Sequence, residues 1–215
     1  LYEDVVMFDF TSFWPSIIVS YNLSRSTKLE KRDEDSIEVD VGREHKYYFS
    51  KRQGFFPEML SEIITLRKKY KKEYSKNQNN LLKARSNAYK LLANASYGYQ
   101  GFFGARYYCP EASASATGLS RQFIHQTIDK IKKYGHGILY SDTDSIAFLK
   151  EGKSKKEVIS MLKDINESLP GIMELDLEDF YPRGLFVSKR TTKTGAKKKY
   201  ALIDGRGKMK IRGFE

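Results

Sequence analysis

At 215 residues, with 40% hydrophobic and 13% aromatic content, the chain can bury a core of one or two domains and is not a disordered polypeptide. No apolar run approaches the ~20 residues of a membrane span and there is no basic-then-apolar leader, so a soluble, intracellular protein is expected, and the single Cys109 excludes an internal disulfide or a cysteine zinc cluster. A net charge of +11, from 38 Lys and Arg against 27 acidic residues, favours a polyanionic partner such as nucleic acid.

In chain order, the run Val5-Val6-Met7-Phe8-Asp9-Phe10 reads as a buried strand with one acid near its end. Pro15 stands where a short helix to about Tyr21 can begin. Residues 25–49 mix charges with alternating apolar positions and predict an exposed hairpin or loop rather than core. From Pro57 the period becomes helical through Met59, Leu60, Ile63, Ile64 and Leu66, and a basic run from Arg67 to Lys72 follows. The amides at 77–80 break that helix, and a second one from Leu81 to Gly98 predicts an antiparallel helical hairpin. Arg67 and Lys71 share one face of the first helix; Lys90, Asn94 and Tyr97 share one face of the second. Arg grips phosphate oxygens bidentately and Lys adds a compact charge, so each face is a candidate triphosphate clamp, although a solvated helix face has the same pattern.

The glycine-punctuated aromatic segment 99–110 reads mainly as core packing. Small residues, among them Ala112, Ala114 and Ala116, then lead into a helix through Lys133 that can pack closely on a sheet. In Gly137-Ile138-Leu139-Tyr140-Ser141-Asp142-Thr143-Asp144-Ser145-Ile146-Ala147-Phe148, apolar residues flank a small polar centre: two strands joined by a tight turn. Carboxylates held together at such a turn repel each other unless a cation offsets them, which points to a hard divalent ion, magnesium fitting best. An ordinary Asp-rich surface turn has the same composition. Ser154 with Glu157 forms a capping box for a helix to Leu169, with Val158, Ile159, Leu162 and Ile165 on one side. Strands are expected at 172–178, 184–188 and 200–203, the last two separated by the basic stretch 189–199.

Five of these segments, in the same order, resemble the motifs of the family B DNA polymerases, in particular the archaeal-type replicative branch, and the resemblance covers essentially the whole chain. Asp9-Phe10-Thr11-Ser12-Phe13-Trp14-Pro15-Ser16-Ile17 is similar to motif A and Tyr140 to Ser145 to motif C. Lys90-Leu91-Leu92-Ala93-Asn94-Ala95-Ser96-Tyr97-Gly98 is similar to motif B, and Lys197-Lys198-Lys199-Tyr200 and Lys210-Ile211-Arg212-Gly213 to two primer-contacting motifs.

The resemblance implies an α+β fold: an antiparallel palm sheet backed by helices, residues 1–54 and 101–215, interrupted by a helical-hairpin fingers subdomain at 55–100. It implies a DNA-directed DNA polymerase core that extends a primer by two-metal phosphoryl transfer. Asp9, Asp142 and Asp144 would be the catalytic acids, with two magnesium ions (Mg2+) on Asp9 and Asp144 and Asp142 a weaker ligand beside them. Phe10, Thr11, Ser12, Phe13, Trp14, Arg67, Lys71, Lys90, Asn94 and Tyr97 would bind the deoxynucleoside triphosphate. Backbone amides in 10–13 would hold its phosphates, and Trp14 would stand where the family places a sugar-gating Tyr. Gly98, Thr143, Lys197, Lys198, Lys199, Tyr200, Lys210 and Arg212 would contact primer-template DNA. Departures occur at Phe13, Trp14, Ala95 and Lys199, the last replacing an Arg and losing its planar fork. Exonuclease and thumb domains or subunits are expected as further partners, at the nucleoid and not at a membrane. A non-catalytic DNA-binding or assembly subunit of a split polymerase, or a polymerase acting on RNA, are the competing expectations.

Overall fold

The computed structural model describes residues 1–42, 45–188 and 195–214. In chain order its elements are β1 (Tyr2–Phe10), α1 (Phe13–Ser20), β2 (Lys28–Leu29), β3 (Ser36–Gly42), β4 (His45–Ser50), α2 (Phe55–Asn77), α3 (Asn80–Gly101) and α4 (Pro110–Lys133). There follow β5 (Ile138–Asp142), β6 (Ser145–Leu149), α5 (Lys155–Glu167), β7 (Leu175–Ser188), β8 (Gly195–Ile203) and β9 (Met209–Arg212). Two compact units form: Leu1–Thr11, Phe123–Leu169 and Glu174–Glu215 make the first, and Ser12–Gln122 with Pro170–Met173 the second. Among the described residues no helix is long and apolar enough to cross a membrane.

The first unit is a six-stranded sheet in the order β5-β6-β1-β7-β8-β9, antiparallel at every pairing. An inner strand must be apolar on both faces, and Val5, Val6, Met7 and Phe8 of β1 are completely buried. The register Val5↔Leu149, Met7↔Ala147 and Asp9↔Ser145 sets these residues on one face, and Val6↔Phe148 and Phe8↔Ile146 on the other. On the first face Val5, Met7, Ala147, Tyr181, Tyr200 and Leu202 pack with Tyr140 and Phe186. On the second, Phe8 meets Phe148 edge-on at 4.8 Å. Helix α5 starts with the expected capping box, and Asn166 fastens it to β7 by bonding both the carbonyl and the N–H of Leu175 (2.9 and 2.8 Å).

Where the sequence suggests two strands, β7 runs unbroken for 14 residues. Pro182 does not interrupt it because it lies opposite Asp4, between the pairs Glu3↔Arg183 and Val5↔Tyr181, where no ladder donor is needed. Asp4, at φ 53, gives its carbonyl to the Lys150 N–H instead (2.9 Å). The sheet also curls. Tyr140 on β5 accepts a hydrogen bond from the Lys198 N–H of β8 at 2.7 Å, although three strands stand between them in the sheet order, so the aromatic face lies inside the curl.

The second unit holds a three-stranded sheet, β2-β4-β3, in which β3 and β4 pair antiparallel with one buried residue each, in keeping with the exposed hairpin expected there. Its Val39 and Phe49 are buried, because α4 approaches β3 closely at Gly118: a Cβ there would lie 2.9 Å from the Val41 Cα. Helices α2 and α3 are joined by Gln78 and Asn79 alone, with Tyr70 stacked on Tyr89 at 5.6 Å. Asn22 fixes where α2 starts. Its amide donates to the Ser50 and Arg52 carbonyls (both 2.7 Å) and its Oδ1 accepts the Gly54 N–H (3.0 Å), at the N-cap of α2.

Candidate active site

The three expected acids stand at the same end of the curled sheet. The pairs Asp9↔Ser145 and Asp142↔Ser145 put Asp142, Ser145 and Asp9 in one row across β5, β6 and β1. The Phe10 N–H donates to the Asp144 carbonyl at 2.8 Å, so the backbones carrying Asp9 and Asp144 are in direct contact. Side chains directly opposite each other in a ladder share a face, and that face is the aromatic one.

The turn between β5 and β6 is tight. The Asp144 N–H bonds the Asp142 carbonyl at 2.7 Å across Thr143, whose φ is 57, a γ-turn with a left-handed central residue, which is rare and strained. The Ser145 hydroxyl donates to the same carbonyl at 3.2 Å. Strain of this kind persists where its surroundings over-determine it; here the surroundings are three paired strands, and the turn presents Asp142 and Asp144 partly exposed.

Two further groups complete this end of the sheet, and neither was singled out in the sequence as a neighbour of the acids. Asp176, at the start of β7, pairs with Asp9 and extends the row to a third carboxylate. The Lys198 ammonium lies 3.8 Å from Asp142 Oδ2. An acid between two leucines near a strand start was the signal for Asp176; nothing local in the sequence could have announced the Lys198 pair. The donors are hard oxygens, suited to magnesium, which takes only one or two protein carboxylates and completes its shell with water and phosphate. Among the described residues no group of three or more His, Cys, Asp or Glu is gathered closely enough to hold an ion.

The basic residues of β8 and β9 divide. Lys198 and Lys199 are exposed, Tyr200 is buried in the aromatic cluster, and Lys210 pairs with Glu178 and lies 5.8 Å above the Tyr200 ring. Arg212 is exposed. The Lys197 side chain and residues 189–194 lie outside the described residues. Burial pushes the Tyr140 and Tyr181 hydroxyls above their usual range, Glu178 adding to the effect on Tyr181.

In the second unit, four of the residues expected to bind nucleotide come together in pairs. The Trp14 ring meets the Tyr97 ring at 3.8 Å between centroids, and the Tyr97 hydroxyl is 3.0 Å from Thr117 Oγ1. Arg67 donates to the Ser12 hydroxyl, Ser12 being the N-cap of α1 in a left-handed conformation (φ 49) without a side-chain cap bond. Lys71, Lys90, Asn94 and Gly98 are exposed on the α2–α3 hairpin. The N–H groups of Phe10 and Thr11 are bound to the Asp144 and Glu174 carbonyls at 2.8 Å each, and the Phe10 and Phe13 rings are core.

Comparison with known proteins gives a consistent answer. The model of DNA polymerase family B matches residues 1–215. The DNA polymerase of Thermococcus sp. (strain 9oN-7) is 39% identical over 225 residues and DNA polymerase 1 of Pyrococcus abyssi 38% over 224, each match covering 100% of this chain and 28% of the relative. The solved structure of the family B DNA polymerase from the hyperthermophilic archaeon Pyrobaculum calidifontis superposes with a TM-score of 0.73 at 34% identity, over 99% of this chain and 27% of that one. The chain thus spans little more than a quarter of the relatives it matches, and it belongs to DNA polymerase family B.

Proposed function

We propose that the chain is the catalytic core of a DNA-directed DNA polymerase, with residues 1–54 and 101–215 as palm and residues 55–100, all of the α2–α3 hairpin but its last residue, as fingers. The observation that carries this reading is the contact between the Asp9 and Asp144 backbones, made by the Phe10 N–H on the Asp144 carbonyl, in a chain matched over its full length by polymerases. Asp9 and Asp144 hold two magnesium ions, which when bound lower the pKa of the primer 3′-hydroxyl and neutralise the triphosphate and leaving pyrophosphate. The chain's own residues position the reactants. Arg67, Lys71, Lys90 and Asn94 bind the nucleoside triphosphate, and the positive end of α1 from Ser12 onward favours phosphate oxygens. Tyr97 and Gly98 face the nascent base pair. Thr143, Lys197 to Tyr200, Lys210 and Arg212 line the primer-template.

Trp14, held by the Tyr97 ring, is proposed as the group that stacks under the deoxyribose and leaves no room for a 2′-hydroxyl. Single-nucleotide primer extension with magnesium tests both statements. Asp144→Ala is expected to lower extension by several orders of magnitude, and extension unchanged in that variant would remove the assignment. Trp14→Ala is expected to raise ribonucleotide use relative to deoxyribonucleotide use; an unchanged ratio would remove Trp14 from the sugar.

A further inference from the structure

The Lys198–Asp142 pair has an asymmetry that suggests a use. The acid's side chain is 22% exposed and the lysine's 74%, so the carboxylate is held in place and the ammonium is the partner free to leave. Everything behind the ammonium is fixed. Lys198 sits at φ 60, its N–H is bound to the Tyr140 hydroxyl, and its carbonyl is closed over by Gly213, where a Cβ would come within 2.1 Å. Tyr140 is in turn packed on Phe186 and Tyr200 at 5.7 and 5.5 Å. The backbone of Lys198 is therefore anchored beside the acid, while its side chain reaches Asp142 at the outer limit of an ion pair, a weak and exchangeable contact.

We propose that Lys198 is a positioning residue that serves as an exchangeable counter-ion of Asp142, so that polyanion binding and divalent-cation binding assist each other. Without DNA, the ammonium neutralises Asp142 and competes with a cation for it. When a phosphate of the nucleic acid takes the ammonium, the carboxylate is released to the cation; conversely, a bound cation frees the ammonium for phosphate. By linkage the two effects are equal in size. The inference rests on the metal and DNA assignments proposed above, with Asp142 as the weaker cation ligand beside Asp9 and Asp144.

Titration of the chain with Mn2+, followed by electron paramagnetic resonance of the free ion, tests it without turnover. In the absence of DNA, Lys198→Met is expected to bind Mn2+ about two- to fivefold more tightly than the parent, the size expected for loss of one exposed pair, and Lys198→Arg to bind as the parent does. Equal or weaker binding by Lys198→Met overturns the proposal. In a second arm, Mn2+ is expected to tighten binding of a primer-template duplex more in the parent than in Lys198→Met, by the same factor. An equal gain in both overturns the coupling. Asp144→Ala separates the layers: if it binds Mn2+ as the parent does, the metal site itself is wrongly assigned, whereas loss of binding there with no effect of Lys198→Met sinks this inference alone.

Discussion

At the scale of single residues, the aromatic face of the sheet links chemistry to stability through its tyrosines. Tyr181 is buried against Val5, Met7 and Leu202 and donates its hydroxyl to Glu178 at 3.1 Å, so burial first and the neighbouring carboxylate second raise its pKa. The folded state then keeps a proton that the unfolded chain releases near pH 10. A raised folded-state pKa contributes stability that is fully present below the unfolded value and is lost as pH climbs above it. Urea unfolding midpoints between pH 9 and 11 are therefore expected to fall, and Tyr181→Phe to flatten that fall; an identical slope in the variant would dismiss Tyr181 as its source. The same scale shows what a sequence can announce about a site. What was legible is position: Asp9 as an acid near the end of an apolar strand, and Asp142 and Asp144 as two acids at a tight turn between apolar strands. The partners of Asp142 were not, because Lys198 is brought to it only by the curl of a sheet whose intervening strands are distant in the chain.

At the scale of elements, the parts that follow local rules were read correctly and the parts set by distant partners were not. The capping box of α5 and the two-residue break between α2 and α3 are local chemistry. The unbroken β7 depends on where Pro182 falls against β1, and the burial of Val39 and Phe49 depends on α4 meeting β3 at a glycine. Asn22 is a further case: a polar residue in an apparently ordinary loop that is 4% exposed and holds three backbone groups from the end of β4 to the start of α2. Asn22→Ala leaves two carbonyls and one N–H without these bonds in a buried site. Each bond is worth about 1 kcal/mol, so a loss of ~3 kcal/mol is expected in chemical denaturation. Asn22→Asp keeps the acceptor for Gly54 but sets a buried carboxylate against the two carbonyls its amide had bound, and is expected to lose at least as much as Asn22→Ala. A loss below ~1 kcal/mol for the alanine variant would mean that Asn22 does not set the start of α2.

At the scale of the molecule, a net charge of +11 gives the protein long-range attraction for nucleic acid, but the number of cations that reach phosphate decides how tightly it binds. Of the basic side chains proposed to meet DNA, Lys210 is already engaged by Glu178 and counts for little. Of the described side chains Lys198, Lys199 and Arg212 remain, and three phosphate contacts give a slope of about −2.7 for log affinity against log salt. Affinity for a primer-template should then drop by about fortyfold between 50 and 200 mM salt. Lys199→Gln removes one exposed charge from a strand that its neighbours already hold in register, and should make the slope shallower by about 0.9 without moving the unfolding midpoint. Lys210→Gln should leave the slope nearly unchanged, because its ammonium has a partner to lose before it can reach phosphate. If instead Lys210→Gln shifts the slope as much as Lys199→Gln does, the Glu178 pair opens on binding, and β9 belongs to the DNA-contacting surface as fully as β8.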